Sequence, residues 1–452
     1  MPLKVFNTLT KKKEIFKPSK GKNVKFFVCG VTPYDFAHIG HAKTCVQFDI
    51  IVKYLRYRGF KVNYLQNITD IDDKIIQRAQ EKNIDTKKLV KGFENDFLKN
   101  IKELGVDSVD KYARATDHIK EIQKQVKTLM DKGFAYVIND DGVYFDLSKF
   151  PEYGKLSGRK SMEAEDAVSR IDDSKKKINK GDFCLWKKSK KNEPKWDDPW
   201  FNGGRPGWHI EDTAITEKEF GPQYDVHGGA RDLIFPHHEA EIAQMEASSG
   251  KKPFVKYWLH TGFLNVKGQK MAKSLGNFVT IKEALKKYDP KVLRFFYISA
   301  HYKSPIDFSD ELLEQAKNSL ERLNDFTAKV KDSKEKDDLK LIEKTEKEFI
   351  KHMDDDFDTP KALAAIFDFV KEVNKKGGGK KSHKLMLEFD KVFNVLSTED
   401  VKLKSDIKKL INEREKARKE KDFSKADKIR EELKEKGIVL EDTKDGVRWK
   451  KS

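Results

Sequence analysis

Cysteine is scarce in this chain. Only 3 of its 452 residues are Cys, at positions Cys29, Cys45 and Cys184. That excludes a disulfide-built scaffold and leads us to expect a reducing, cytoplasmic compartment. No apolar run is long enough to span a bilayer and no secretory pattern opens the chain, so no membrane association is expected. No internal repeat or low-complexity tract stands out beyond Lys/Glu-rich helical segments. Acidic residues are in deficit: 75 Asp and Glu stand against 92 Lys and Arg, a net charge of +17. A lysine-rich solvated surface explains part of that excess. An electrostatic footprint for a polyanion, nucleic acid first, explains more of it. What is there suffices for real cores: 37% of residues are hydrophobic and 30 are Phe, over a length that calls for several domains.

The most informative stretch runs from Phe26 to His41. Phe26, Phe27 and Val28 favour a buried strand, Gly30 and Pro33 punctuate a turn, and a helix is expected to start near Gly40. Gly40 lets backbone approach a ligand, and the free N–H groups and positive dipole end of the helix then face an anion. His38 and His41 at that helix start suit phosphate oxygens. Val46, Ile50, Ile51 and Leu55 continue with helical spacing, Lys61 to Asn67 alternates as a strand, and helix returns from Asp72. Strand–helix–strand order predicts a parallel sheet with right-handed crossovers: a doubly wound, Rossmann-type α/β fold that binds nucleotides.

Far downstream lies Lys270-Met271-Ala272-Lys273-Ser274. On its own this is one more basic loop. Paired with His38-Ile39-Gly40-His41 it resembles the two signatures of the class I aminoacyl-tRNA synthetases. The surrounding residues, from Val5 to Lys450, resemble the cysteine-specific family, the cysteinyl-tRNA synthetases. The resemblance implies ATP-dependent activation of L-cysteine, then transfer of the cysteinyl group to the 3′ end of tRNA(Cys), by a monomer. It gives His38, His41 and Lys273 the catalytic roles. ATP would be held by His38, Gly40, His41, Gly228, Gly229, Asp232, Lys270 and Lys273, with Mg²⁺ accompanying it and no dedicated protein cage. Cys29, Gly30, Thr32, Thr69, Trp208 and His227 would surround the amino acid. Ala272 sits where the family usually has Ser, beside the working lysine, and little effect is expected. The segment around Thr69 also reads as a helix N-terminal capping pattern, and both readings can hold; Trp208 reads equally as core or as pocket wall.

His237 and Glu241 are four residues apart and share one face of a helix. Taken alone, that spacing suits a solvent-facing polar pair. The resemblance turns it into a metal site: the family holds zinc with two Cys, one His and one Glu. The positions that match are Cys29, His237 and Glu241. In the segment Gly207 to Thr213, Asp212 stands where the family's second Cys falls. We therefore expect one Zn²⁺ on Cys29, Asp212, His237 and Glu241, with Asp212 bound directly or through water. Zinc lowers a thiol's pKa and binds thiolate at about 2.3 Å. An apolar pocket separates cysteine from serine by only about 1–3 kcal/mol, so the metal would supply the discrimination. The additional oxygen ligand is expected to weaken thiolate preference somewhat. Cys45 reads as a core residue of the helix after His41, and Cys184 as packing within an insertion.

The expected organisation is a catalytic domain over 1–265 with an insertion at about 120–205, and a signature-loop region over 266–315. A helical bundle over 316–400 and a small anticodon-binding module over 401–452 would follow. Asn139-Asp140-Asp141-Gly142 marks a hairpin in the insertion. Its Lys-rich stretches, Ser174 to Lys180 and Lys187 to Lys191, read equally as solvated loop or as contact with a tRNA acceptor end. Asp358-Thr359-Pro360 is a plain helix-start signal as well as a family motif. In the last module Arg430, Arg448 and Trp449 are candidates for stacking on anticodon bases, while Trp449 also reads as capping a small core. Three other functions share part of this pattern. A ligase joining cysteine to an amino sugar through the same adenylate would lack the anticodon module. A non-catalytic RNA-binding paralogue would not need His38, His41 and Lys273. A simple nucleotidyltransferase would have neither the metal set nor the helical tail.

Overall fold

The computed structural model of the chain describes residues 2–159, 174–207, 209–271, 275–397, 405–443 and 446–451. Trp208 and Lys273 lie outside the described residues, as does the side chain of Lys270. Two compact units result, Met1–Leu396 and Ser397–Ser452.

The first unit opens with β1 (Lys4–Asn7) and β2 (Lys12–Ile15), then β3 (Asn23–Val31), α1 (Ile39–Tyr57) and β4 (Lys61–Ile68). It continues through α2 (Asp73–Glu81), α3 (Thr86–Glu103), β5 (Lys111–Arg114) and α4 (Ile119–Asp131). After β6 (Ala135–Ile138), β7 (Gly142–Phe145), β8 (Phe183–Lys188) and β9 (Gly204–Pro206) come α5 (Ile210–Phe220), β10 (Tyr224–Ala230), α6 (His237–Ser249) and β11 (Val255–Thr261). The rest is β12 (Leu264–Val266), β13 (Gln269–Lys270), α7 (Ile281–Lys287), α8 (Pro290–Ile298), β14 (Ile306–Phe308), α9 (Asp310–Lys331), α10 (Leu339–Met353), α11 (Thr359–Lys376) and α12 (Lys380–Phe393).

The central sheet has the order β11-β10-β3-β4-β5, and its neighbours pair in parallel. The expected doubly wound topology is therefore present, with β3 in the middle. β3 reads as a continuous apolar run because both of its faces are covered. The strand period splits it: Phe26 and Val28 join the core that contains α1, whereas Phe27 and Cys29 join the core that contains α5 and α6. That alternation decides which helices can meet the Cys29 thiol. Chain order reverses between β3 and β10, so the crevice at their C-terminal ends is where a ligand is expected in such a sheet.

β6 to β9 form a separate antiparallel sheet, with the hairpin closing from Ile138 to Gly142 as the Asn-Asp-Asp-Gly sequence predicts. Cys184 is buried there on β8 and Cys45 is buried on α1. In the second unit α13 (Ser405–Lys419) and α14 (Phe423–Glu435) precede an antiparallel pair, β15 (Ile438–Thr443) and β16 (Gly446–Lys451). Its small core is Ile407, Ile411, Ile429, Leu433, Ile438 and Leu440.

Candidate active site and metal centre

A cavity of about 440 Å³ opens at the switch point of the sheet. Its lining includes Cys29, Gly30, Thr32, His38, Gly40, His41, Thr69, Asp232 and His237. Two glycines are there for space. A Cβ on Gly30 would lie 1.8 Å from the Asn67 carbonyl oxygen, and one on Gly40 would meet the His38 ring at 2.9 Å.

The mouth of α1 is built by its own histidines. His38 is the N-cap, and its Nδ1 accepts from the Gly40 N–H at 3.1 Å. His41 Nδ1 accepts from the His38 N–H at 3.2 Å, and the two rings stack with centroids 3.8 Å apart. Because both Nδ1 atoms accept, Nε2 is the nitrogen from which each neutral ring can donate. Burial and the neighbouring His38 push the His41 pKa well below its usual value, so it acts as a neutral donor. The second signature loop returns to the same place. Ile39 N–H donates to Val279 O at 3.1 Å and Ile281 N–H to Ala37 O at 2.9 Å, while Phe278 stands edge-on to His38. This backbone tether joins segments more than 230 residues apart, and no local pattern announces it.

At the base of the cavity Cys29, Asp212 and His237 line the wall, and Glu241 joins them from behind to make a cluster of four. Cys29 Sγ lies 3.7 Å from Asp212 Oδ2, 3.6 Å from His237 Nε2 and 3.8 Å from Glu241 Oε1. His237 Nε2 lies 3.0 Å from Asp212 Oδ2 and 2.9 Å from Glu241 Oε1. A tetrahedral ion bound at about 2.3 Å to sulfur and 2.0–2.1 Å to nitrogen and oxygen requires ligand separations of about 3.3–3.6 Å. The set is thus within a few tenths of an ångström of a zinc-sized cage. Its electrostatics point the same way. Burial, then Glu241 and Asp212, raise the Cys29 pKa well above its usual value. Burial raises Glu241 to about 7 against the pull of His237. Burial opposes charge on His237, yet Glu241 and Asp212 hold its pKa up at about 10. Asp212 Oδ1 and Glu241 Oε2 are buried without a hydrogen-bond partner among the described residues. The cluster is short of positive charge, which a divalent cation supplies.

His227 is placed differently from its expected role. It is fully buried, with Nε2 3.3 Å from Cys29 Sγ and Nδ1 2.6 Å from the Tyr224 hydroxyl, stacked on Trp258. With His238, whose Nε2 lies 3.2 Å from the same sulfur, it forms a second ligand-like group behind Cys29. Both second nitrogens of that group are engaged, His238 Nδ1 by His260 Nε2 at 2.8 Å, and neither ring lines the cavity. Only the Asp212/His237 set opens onto it. Gly228 and Gly229 are also absent from the lining. A Cβ on Gly228 would strike Phe48, and one on Gly229 would strike His238, so packing within the core accounts for both glycines.

Several lining or supporting residues escape sequence reasoning. His209 holds the left-handed backbone region, φ 81°, at the start of α5 and sets its Nδ1 against Nδ1 of His237, orienting the ligand ring. Glu211, Met271 and Phe278 line the cavity. Asn67 accepts the Gly30 N–H at 2.5 Å and donates to Thr69 Oγ1 at 3.2 Å. The Glu-Asp pair beside the Asp212 position was the one available signal.

Comparison with known proteins follows the same lines. Residues 15–318 match the family model for the class I (C) tRNA synthetase catalytic domain, 348–398 the DALR domain and 400–449 the cysteinyl-tRNA ligase anticodon-binding domain. Among similar proteins are cysteine–tRNA ligases of Thermococcus onnurineus (45% identical, covering 100% of this chain and 99% of that protein) and Thermodesulfovibrio yellowstonii (43%, 99% of each). A third is that of a Geobacillus species (44%, 99% of each). The fold resembles Mycobacterium tuberculosis methionyl-tRNA synthetase in complex with methionyl-adenylate, with a TM-score of 0.60 at 17% identity over 82% of this chain and 90% of that one.

Proposed function

Because the chain belongs to the cysteine–tRNA ligase family of class I aminoacyl-tRNA synthetases, we propose the following account of how its residues activate L-cysteine and charge tRNA(Cys). In the first step a carboxylate oxygen of cysteine attacks the α-phosphorus of ATP in line with departing pyrophosphate. Such a step depends on positioning and charge stabilisation. His38 and His41 donate Nε2–H to the triphosphate from the α1 mouth, where the helix dipole adds its favourable end. Gly40 and Gly30 keep the floor low enough for the ligand backbone and phosphates. Lys270 and Lys273 neutralise charge on the leaving pyrophosphate, and Mg²⁺ travels with ATP. Thr32 and Thr69 border the amino acid, Asp232 borders the nucleotide, and the family resemblance gives Trp208, outside the described residues, a part in the amino-acid pocket.

Cys29, Asp212, His237 and Glu241 would hold Zn²⁺, which when bound favours the thiolate of cysteine over the hydroxyl of serine. His227 acts from behind Cys29, keeping the sulfur in place. The active unit is a monomer and needs no membrane; no described helix is long and apolar enough to cross one. The observation that carries this reading is a cluster of four zinc-type donors, three of them lining the same cavity as His38 and His41. The test measures zinc by elemental analysis together with cysteine-dependent ATP–pyrophosphate exchange and tRNA charging. One zinc per chain, with exchange on cysteine far exceeding that on serine, is the expected result. Metal-free protein with full exchange, or equal activation of serine, defeats the assignment.

A further inference from the structure

We infer that Glu211 is the receptor for the substrate's α-ammonium group, with Thr69 holding its carboxylate in position. The inference rests on the reading above, in which the cavity takes free cysteine by its sulfur. Glu211 lies in the first turn of α5, beside Asp212, and lines the cavity. It is 2% exposed. Its Oε1 accepts from Thr69 Oγ1 at 3.3 Å, while Oε2 has no hydrogen-bond partner among the described residues. The support is continuous. Thr69 Oγ1 takes a bond from Asn67 Nδ2 at 3.2 Å, and Asn67 Oδ1 takes the Gly30 N–H at 2.5 Å. The carboxylate on α5, next to Asp212 of the metal-type cluster, is therefore braced by hydrogen bonds that run back to Gly30 on β3.

A carboxylate oxygen buried without a donor is costly, and the cost is removed by a ligand that brings one. Two cations of the same cavity serve elsewhere. Arg205 Nη2 lies 2.5 Å from Asp73 Oδ1 and Nε 3.4 Å from Glu193, and Lys187 Nζ lies 3.7 Å from Asp73 Oδ2. Cysteine supplies the missing donor. Its nitrogen and sulfur are separated by two carbons, about 3–4 Å apart. Asp212 at the sulfur end and Glu211 at the nitrogen end are adjacent residues of one rigid helix turn. With both ends held, the substrate carboxylate is the group left free to turn to the α1 mouth. Such a site takes free α-amino thiols and rejects N-acylated cysteine, whose amide nitrogen carries no charge.

The test compares ligands on metal-loaded full-length protein without ATP, by calorimetry. L-Cysteine and 3-mercaptopropionate share thiol and carboxylate and differ by the ammonium. Wild type should bind cysteine about 10- to 100-fold more tightly, the scale of a charge-assisted hydrogen bond. Glu211→Gln should lose that preference while retaining metal and binding 3-mercaptopropionate within about twofold of wild type. Thr69→Val should weaken cysteine binding selectively by about 3- to 10-fold. Unchanged cysteine affinity in metal-loaded Glu211→Gln overturns the inference, and so does equal loss of both ligands. If Glu211→Gln loses its metal, the wild-type ligand ratio and Thr69→Val decide; equal binding of the two ligands by wild type is fatal. Wild type that binds neither thiol instead defeats the sulfur-first reading of the previous subsection, and this inference falls with it.

Discussion

His38 and His41 do two things with one side chain each. Nδ1 closes the first turn of α1, and Nε2–H is the donor proposed to meet the triphosphate. Replacing either by Ala should slow cysteine-dependent pyrophosphate exchange about 100- to 1000-fold, the effect of deleting one preorganised donor. His38→Asn should restore the roughly 1 kcal/mol of cap stability without restoring the rate. In the proposed metal centre, Asp212 stands where the family resemblance puts a second cysteine. Asp212→Ala should lower zinc affinity by about 100-fold or more, whereas Asp212→Cys should keep it, as read by chelator competition. Affinity should also fall with falling pH. Burial and neighbouring carboxylates raise the Cys29 pKa, and Glu241 is raised to about 7, so both hold protons that binding must release.

At the scale of the element, α1 carries the histidines and must be held against the rest of the unit. Arg294 on α8 pairs with Asp49 on α1 at 2.5 Å, both side chains fully buried. The guanidinium also reaches the carbonyl oxygens of Phe393, Leu104 and Gly105, so one side chain ties α1, α8, α12 and the end of α3. Arg294→Met should cost about 3–5 kcal/mol in urea denaturation, because it leaves the buried Asp49 carboxylate with Lys53 as its one remaining cationic partner among the described residues. Burial alone would raise the Asp49 pKa, but Arg294 and Lys53 outweigh it and the carboxyl stays below its usual range. A folded-state pKa below the unfolded value means stability present above the ordinary carboxylate range and lost as pH falls through the folded value. Asp49→Asn should flatten that part of the pH–stability curve.

At the scale of the molecule, activation belongs to the first unit, and the second matches the anticodon-binding family. Protein ending at Leu396 should keep pyrophosphate exchange within about threefold. Its charging of tRNA should fall by about two orders of magnitude, the scale lost when one of two linked binding sites is removed. With a net charge of +17, charging by the full chain should weaken steeply with salt while pyrophosphate exchange does not. The charge excess was legible in composition, as were the elements around both signatures. Orientation was not. Gly228 and Gly229 look like ligand-facing glycines in a row of residues, yet β10 turns them into the core against Phe48 and His238. Nothing local marks Glu211, because its partner Thr69 is 142 residues away.

By itself, the sequence determined the strand, turn and helix around His38, the hairpin at Asn139 and the helix face shared by His237 and Glu241. Those depend on periodicity, caps and turn residues, all of which act over a few positions. Only the tertiary structure decided that Cys29 faces α5 and α6 rather than α1, that Val279 returns to Ile39, and that a carboxylate oxygen waits beside Asp212. Each of these is a long-range contact, and which groups meet across it is set by sheet order and strand face, which no short window of residues contains.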